Sequence, residues 1–479
     1  MPYFPLAILG WTADKLLSAA LSAAAGWIAF RIARHAGIRN AWAAALFAWA
    51  QPLYFQLAQT TLTETPLAFY LAAAVLLAVR GRWEWSSVIL SLGFVTRHEA
   101  ILFLPIWAYF AWRAGVNLLR LWPLAWAPIG VNAAAWLAGM TTAIELYFQP
   151  KPSSQYGSDG WLTFVARSMH AWGPGVSVLA FAGLAAMLAK GGGLRQTRGD
   201  PGRAHDSAAM ARKLVCACIA AYFIAQTIIR VFGLFDSGGY ARFLVPIGPL
   251  VGIAALAGWN GLFDADQRGR LKCTLLVAAA MALLWFSLEL QVRLHRGIDI
   301  EFPKVKEAQV AIRVVAIVFA LLACTALLFR RRESRIIRLL TPGALIALML
   351  FTGYILHRPL QPPEEAPIIA DALAELEKKG LGDRPLVSAL LWIDYEKKQA
   401  LPPNRPSTRK RIEDAPVGTL IAWEQQFAGS HDHQLNLEEF TNTASFRRVL
   451  TSPPKPRRQE PYLHVFEKVA EWPSRIPAN

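Results

Sequence analysis

Three short segments hold the residues whose types and spacing are suited to chemistry. In Thr96-Arg97-His98-Glu99-Ala100, a cation and an anion stand two residues apart between two apolar arms. A guanidinium at such a break would hold a phosphate through its planar fork of donors, with Glu99 orienting it. The same pair would also serve simply by snorkelling to lipid headgroups. In Asp236-Ser237-Gly238-Gly239-Tyr240-Ala241-Arg242-Phe243, two glycines permit a tight backbone before the next apolar run. Arg242 opens that run at its N-terminal end, where the helix dipole also favours anions, with Asp236 and Tyr240 as supporting groups. A lone arginine at a helix end is otherwise a lipid contact. Leu62-Thr63-Glu64-Thr65-Pro66 reads as a helix start, with Thr63 as N-cap and Pro66 in the first turn. Glu64 is the candidate catalytic base, although a carboxylate there also complements the dipole.

A fourth group lies on the long connection 139–172, where Tyr147, Tyr156, Asp159 and Trp161 combine aromatic faces with an acid. Such residues stack on sugar rings and bind hydroxyls, and they equally form an interfacial aromatic belt. His431-Asp432-His433 has three metal-ligating side chains but no further ligand at helical or turn spacing, so a solvated loop is the better reading and no metal or other cofactor is assigned. The phosphate-loop, dinucleotide, GxSxG and HExxH patterns are missing. Cys216, Cys218, Cys273 and Cys324 all fall inside apolar runs, as small core residues do.

What must position these groups is a membrane. The chain has 479 residues, 54% hydrophobic and 17% charged, with a formal charge of +16. That balance excludes an ordinary soluble enzyme, and basic residues scattered between long apolar runs exclude a nucleic-acid binder. Twelve spanning segments are expected, at 14–35, 41–58, 64–79, 85–96, 100–112, 120–138, 173–189, 214–232, 243–260, 273–290, 309–329 and 339–357. With residues 1–13 outside, 21 basic residues fall on inner loops, as the positive-inside rule requires. Reading 85–112 as one helix would move the basic cluster 190–213 outside. Two short arms meeting at Arg97-His98-Glu99 on the outer side are therefore expected. Met1-Pro2-Tyr3-Phe4-Pro5 reads like the end of a loop, which predicts a helix and an outer loop upstream.

The character changes near 358, where Pro359, Pro362, Pro363 and Pro367 form a linker. Residues 1–357 are assigned to a transmembrane domain and 358–479 to a small extracytoplasmic α/β domain. In the second, a helix is expected over Glu364–Lys379, ended by Gly380, with strands at Leu386–Leu391, Thr419–Trp423, Phe446–Leu450 and Leu463–Phe466.

The order of these features resembles the polytopic GT-C glycosyltransferases, in particular the bacterial branch related to protein mannosyltransferases and lipid A aminoarabinose transferases. Thr63-Glu64-Thr65-Pro66-Leu67 followed by Gly93-Phe94-Val95-Thr96-Arg97-His98-Glu99-Ala100 looks like that family's helix pair and "TR-x-E" turn. Tyr240-Ala241-Arg242-Phe243-Leu244-Val245-Pro246-Ile247-Gly248-Pro249 is similar to its "RY-L-x-P-x-x-P" helix start, with Phe243 for the usual Tyr. Tyr3-Phe4-Pro5-Leu6 looks like the close of its first outer loop. The resemblance implies an α-helical polytopic protein of the inner (plasma) membrane, moving a sugar from a polyprenyl-phosphate donor to a hydroxyl of a glycan, lipid or protein acceptor, with inversion. By it, Arg97 and Arg242 would bind the donor phosphate. The family's catalytic Asp lies in the first outer loop, upstream of Met1 on this reading, so the chain as given is expected to be inactive unless Glu64 substitutes for it. The alternative is a non-catalytic membrane protein, either a lipid-linked-sugar transporter or flippase or a polysaccharide polymerase partner. A transporter would be expected to show paired broken helices and midplane ion ligands, whereas here the polar groups cluster on the outer side.

Overall fold

The computed structural model describes residues 11–139, 142, 160–188, 203–234, 239–263, 267–294, 314, 365–390, 393, 407–424, 428, 435–454 and 460–472. It divides into two compact units, Met1–Ala134 with Ala143–Pro359, and Ala135–Thr142 with Leu360–Asn479.

The first unit is helical. Its elements are α1 (Trp11–His35), α2 (Ala43–Trp49), α3 (Pro52–Leu57), α4 (Glu64–Val79), α5 (Trp83–Thr96), a 3₁₀ segment His98–Phe103 and α6 (Leu104–Arg113). There follow a 3₁₀ segment Leu118–Ala125, α7 (Trp126–Leu137), whose residues from Ala135 on fall in the second unit, α8 (Thr163–Trp172), α9 (Pro174–Leu188), α10 (Arg203–Val231), a 3₁₀ segment Ala241–Ile247, α11 (Gly248–Phe263) and α12 (Gln267–Leu294). Among the described residues three helical stretches are long and apolar enough to cross a membrane: Ala13–His35, Ser207–Val231 and Ala241–Leu262. The pair α8 and α9, bent by 118° at Gly173, would make a fourth if it is one span. Of segments 309–329 and 339–357, only Val314 is among the described residues.

The expected spans 41–58 and 120–138 are not single helices, and proline is the reason in each. Segment 41–58 breaks at Gln51, whose extended backbone (ψ 120°) is what the ring of Pro52 demands of its predecessor. Segment 120–138 starts as a 3₁₀ turn containing Pro123, and α7 buries none of its residues. Trp122, Trp126, Ile129, Trp136 and Leu137 are exposed there, an apolar surface suited to lipid. The break expected at Arg97 is present. Arg97 is extended (φ −149°, ψ 130°) between α5 and the 3₁₀ segment that leads into α6.

Polar contacts sort to the two ends of this unit. At one end Arg80 Nε donates to His35 Nε2 (3.2 Å), Arg212 Nη1 to the Ala36 carbonyl (2.9 Å) and Asn260 Nδ2 to the Arg39 carbonyl (2.8 Å). All of these except Asn260 lie on connections or helix ends read as cytoplasmic. The other end gathers Glu64, Arg97, Glu99 and Arg242.

Helix α11 sits at the centre, and small residues let its neighbours approach. A Cβ on Gly258 would stand 2.2 Å from the Leu179 carbonyl oxygen, and one on Gly183 would stand 1.8 Å from that of Ala254. The α9 and α11 backbones therefore touch, which is how helices associate where the surroundings are as apolar as the side chains. Gly258→Val is expected to part them and to cost about 1–3 kcal/mol, read as a lower unfolding temperature in detergent.

The second unit forms one four-stranded sheet from β1 (Leu386–Ser388), β2 (Leu420–Glu424), β3 (Phe446–Thr451) and β4 (Leu463–Lys468), in the order β1-β2-β4-β3. β1 runs parallel to β2 and the other pairs are antiparallel. Helices α13 (Glu365–Lys378), α14 (Thr408–Glu413) and α15 (Leu437–Thr441) accompany it. Separate apolar clusters around Leu376, Leu420 and Tyr462 and around Ile421, Phe440 and Phe466 cover the two faces, so the strands are buried throughout where they are central. Glu467 on β4 lies between Arg384 and Arg447, whose hydrogen bonds hold its carboxyl below the usual range. His431-Asp432-His433 lies outside the described residues.

Candidate functional site

The site begins with the start of α4. Thr63 occupies the position before the first helical residue, but its own backbone is helical (φ −73°, ψ −11°) and its side chain caps nothing. Its hydroxyl instead accepts a hydrogen bond from Arg97 Nη1 at 3.3 Å, so the expected N-cap is a ligand of the arginine. Glu64 follows, buried to 2% exposure. Gly93, four residues before Arg97, brings α5 against α4, since a Cβ there would stand 3.1 Å from Leu67. The extended backbone of Arg97 then turns its side chain toward Glu64.

Arg97 is nearly saturated. Its Nη2 and Nε donate to the two oxygens of Glu99 at 2.7 and 3.2 Å, a bidentate pair, and Nη1 meets Glu64 Oε1 at 2.7 Å. With Thr63 included, three of its five N–H groups make hydrogen bonds, and Glu64 adds an ion pair. The side chain is 12% exposed and Glu99 is 9% exposed. A charge this deep persists because both partners are within hydrogen-bond reach.

Arg242 arrives from the 3₁₀ segment Ala241–Ile247, with Tyr240 extended just before it. Its Nε lies 3.5 Å from the same Glu64 Oε1, so one carboxylate oxygen faces both arginines. Phe243 lies against both guanidinium groups, 5.2 Å from Arg97 and 5.8 Å from Arg242, and Tyr240 flanks Arg242 at 5.0 Å. These are cation–π distances, and the rings keep the two cations in place without consuming their donors. Arg242 is 40% exposed, and among the described residues its guanidinium makes no hydrogen bond, the buried Nε included. It is thus equipped to take an outside anion, while Arg97 is held by the protein.

The structure brings Glu64, Arg97, Glu99, Tyr240 and Arg242 together. It places Trp161 apart on an exposed surface, edge-on to Phe232 at 6.2 Å. Tyr147, Tyr156, Asp159 and Asp236 lie outside the described residues. Among the described residues no group of His, Cys, Asp and Glu is arranged to hold a metal ion.

Two further buried cations escaped the sequence reading. Arg167 on α8 and Arg230 in the last turn of α10 are both buried, and the Arg230 side chain crosses Gly239 so closely that a Cβ there would stand 2.8 Å from its Nε. Helix α8 is tied to the segment bearing Arg242 by Trp172 Nε1, which donates to the Leu244 carbonyl at 3.3 Å. The signal was available: both are basic residues away from the inner loops, and such residues at membrane depth are rare without a purpose.

No protein-family model matches the sequence, and no curated protein matches it. Solved structures do. The chain is similar to ArnT from Cupriavidus metallidurans in the apo state, with a TM-score of 0.54 and 13% identity over 97% of this chain and 85% of that one. It is equally similar to ArnT from the same organism bound to undecaprenyl phosphate, with a TM-score of 0.54 and 14% identity over 97% and 86%. The chain therefore shares the fold of ArnT.

Proposed function

We propose that this chain transfers a sugar from a polyprenyl-phosphate donor to an acceptor hydroxyl at the outer face of the plasma membrane. The observation that carries the reading is Arg242, part-exposed with uncommitted Nη donors and set by the buried carboxylate of Glu64. That is a preorganised anion site at the end of the bundle away from the Arg80–His35 and Arg212–Ala36 contacts. The shared fold with a protein whose structure holds undecaprenyl phosphate supports the same lipid as the anion. The twelve-span topology, the assignment of 1–357 and 358–479 to membrane and extracytoplasmic domains, and a glycan, lipid or protein acceptor belong to this reading.

In the reaction, the bond between the anomeric carbon and the phosphate oxygen breaks and its electron pair leaves with polyprenyl phosphate. Arg242 would stabilise that developing charge, and donors fixed in advance do so without reorganising at the moment of reaction. The acceptor oxygen attacks the opposite face, its proton passing to a carboxylate base, and the configuration inverts.

The test is binding of undecaprenyl phosphate to the full chain in lipid nanodiscs, followed by transfer from sugar-charged lipid. Arg242→Ala is expected to weaken lipid binding at least tenfold, a loss of about 1.4 kcal/mol or more, with little change in unfolding temperature. Unchanged binding in that variant would remove the phosphate role, and a wild-type chain that moved the lipid across the bilayer without transferring sugar would favour the flippase.

A further inference from the structure

The end of the membrane unit away from the arginine pair carries cations that no protein anion answers. Helices α1 and α4 pack together and run in the same direction. Near their starts, the Ser18 and Thr65 hydroxyls both donate to the Leu57 carbonyl, at 3.4 and 3.2 Å, and at their ends Arg80 Nε donates to His35 Nε2 at 3.2 Å. Arg31 and Arg34, in the last turns of α1, are close enough to act electrostatically on the His35 ring. Arg34 and Arg80 are exposed, and Arg31 is half-buried with its guanidinium 5.0 Å from the centre of the Trp27 ring. Among the described residues no carboxylate pairs with any of these three arginines. Glu84, the acid nearest to Arg80 in the chain, is engaged with Arg120 at 3.7 Å. The turn after α1 is braced by Arg212 Nη1 on the Ala36 carbonyl and Asn260 Nδ2 on that of Arg39, so the cations stand on a fixed end of the bundle.

The positive-inside rule accounts for basic residues at one end of a bundle but sets no arrangement for them. Their arrangement here matches a particular ligand. Trp27, Arg31 and Arg34 fall at i, i+4 and i+7 on one face of α1, and that face continues toward the middle of the helix as Ala23 and Ala20, both exposed. On α4 the residues left incompletely buried are Phe69, Tyr70, Ala73 and Leu77, and the last three lead at helical spacing to Arg80. Two apolar stripes, kept shallow by alanines, therefore end together in three arginines. From Ala23 to Arg34 the helix rises about 16 Å, close to the ~15 Å of hydrocarbon in one leaflet. A free phosphate would use the cations and leave the stripes idle, whereas a phospholipid uses both.

We propose that this end of the unit binds one anionic phospholipid of the adjacent leaflet, its phosphate held by Arg31, Arg34 and Arg80 and an acyl chain laid along Trp27, Ala23 and Ala20 beside the α4 stripe. His35 is the positioning residue. By accepting from Arg80 Nε it leaves both Nη groups of Arg80 for the headgroup, and it keeps its own proton on Nδ1 as a further donor. Each arginine near an anionic headgroup contributes roughly fivefold in affinity. The site shares no residue with the donor-phosphate reading and stands or falls without it.

The full chain, delipidated in neutral detergent, would be titrated with phosphatidylglycerol or phosphatidylcholine carrying brominated acyl chains, with quenching of tryptophan fluorescence as the readout. Wild type is expected to bind phosphatidylglycerol roughly tenfold or more tightly than phosphatidylcholine. Trp27→Phe should lose part of the quenching and keep the affinity. Arg34→Gln combined with Arg80→Gln should weaken phosphatidylglycerol binding by roughly tenfold or more and leave phosphatidylcholine binding unchanged. Arg113→Gln, an exposed basic residue at the end of α6, should change neither. Ala23→Trp keeps every charge and fills an exposed position, so it should weaken phosphatidylglycerol binding at an unchanged unfolding temperature. Equal affinity for the two lipids, an equal loss in Arg113→Gln, or full binding by Ala23→Trp would overturn the site. Inorganic phosphate that displaced the lipid at concentrations similar to those of phosphatidylglycerol would also overturn it, leaving a site for a free anion. Arg242→Ala should bind phosphatidylglycerol as wild type does, which keeps failure here distinct from failure of the donor reading.

Discussion

Arg97→Ala is expected to be the most damaging single change in the chain, destabilising the membrane unit by about 3–5 kcal/mol and abolishing transfer. The reason is what it leaves behind. Glu99 loses both hydrogen bonds of its bidentate pair, and Glu64, at 2% exposure, keeps only the 3.5 Å approach of Arg242. Two carboxylates would then share a buried region with one peripheral cation. Arg97→Lys should recover only part of the loss, since an ammonium is a point charge and cannot span Glu99 and Glu64 together as the planar fork does. Stability and function can be separated by removing the stranded charges. The combination Arg97→Met, Glu64→Gln and Glu99→Gln is expected to unfold near the wild-type temperature while remaining without transfer activity. Urea or thermal unfolding in detergent reads the first quantity and a lipid-linked-sugar transfer assay the second. A single Arg97→Ala protein of wild-type stability would show that the two carboxylates do not depend on it.

Parts of this site were legible because they are written in local spacing. The break at Arg97 follows from two apolar arms, each too short to span, separated by a polar tripeptide. The strands near Leu386, Leu420, Phe446 and Leu463 follow from short β-branched and aromatic runs between turn residues, and they fall within a residue or two of the observed limits except that β1 stops at Ser388. The roles within the cluster were not legible. Nothing in the spacing of Thr63 and Arg97 says that the hydroxyl would serve the guanidinium instead of the helix end, because that contact spans 34 residues of chain. Likewise, Arg97 and Arg242 look equivalent as outer arginines, and only the packing of Glu99 against one of them reveals that it is saturated and the other is not.

Glu64→Gln is the second large effect, and it decides between the two uses of that carboxylate. As a catalytic base, Glu64 would accept the acceptor's proton, and its loss would cost about 10²–10⁴ in rate together with the rise of rate with pH that reports the base. As the counter-ion common to Arg97 and Arg242, it would act through them. The geometry favours the counter-ion, because Oε1 meets Arg97 at 2.7 Å and faces Arg242 at 3.5 Å, so taking a proton would discharge the group that sets both cations. The expected result is a fall in transfer of roughly 10–100-fold, the range for losing hydrogen bonds to a charged group, with the pH–rate profile keeping its shape and the apparent affinity for the donor reduced. Glu64→Asp keeps the charge but is shorter by one methylene, so it cannot reach both arginines from the same backbone position and should lie between wild type and Glu64→Gln. Loss of the alkaline rise in Glu64→Gln, with Glu64→Asp retaining it, would instead make Glu64 the base and leave Arg242 to be positioned by the rings of Tyr240 and Phe243 alone.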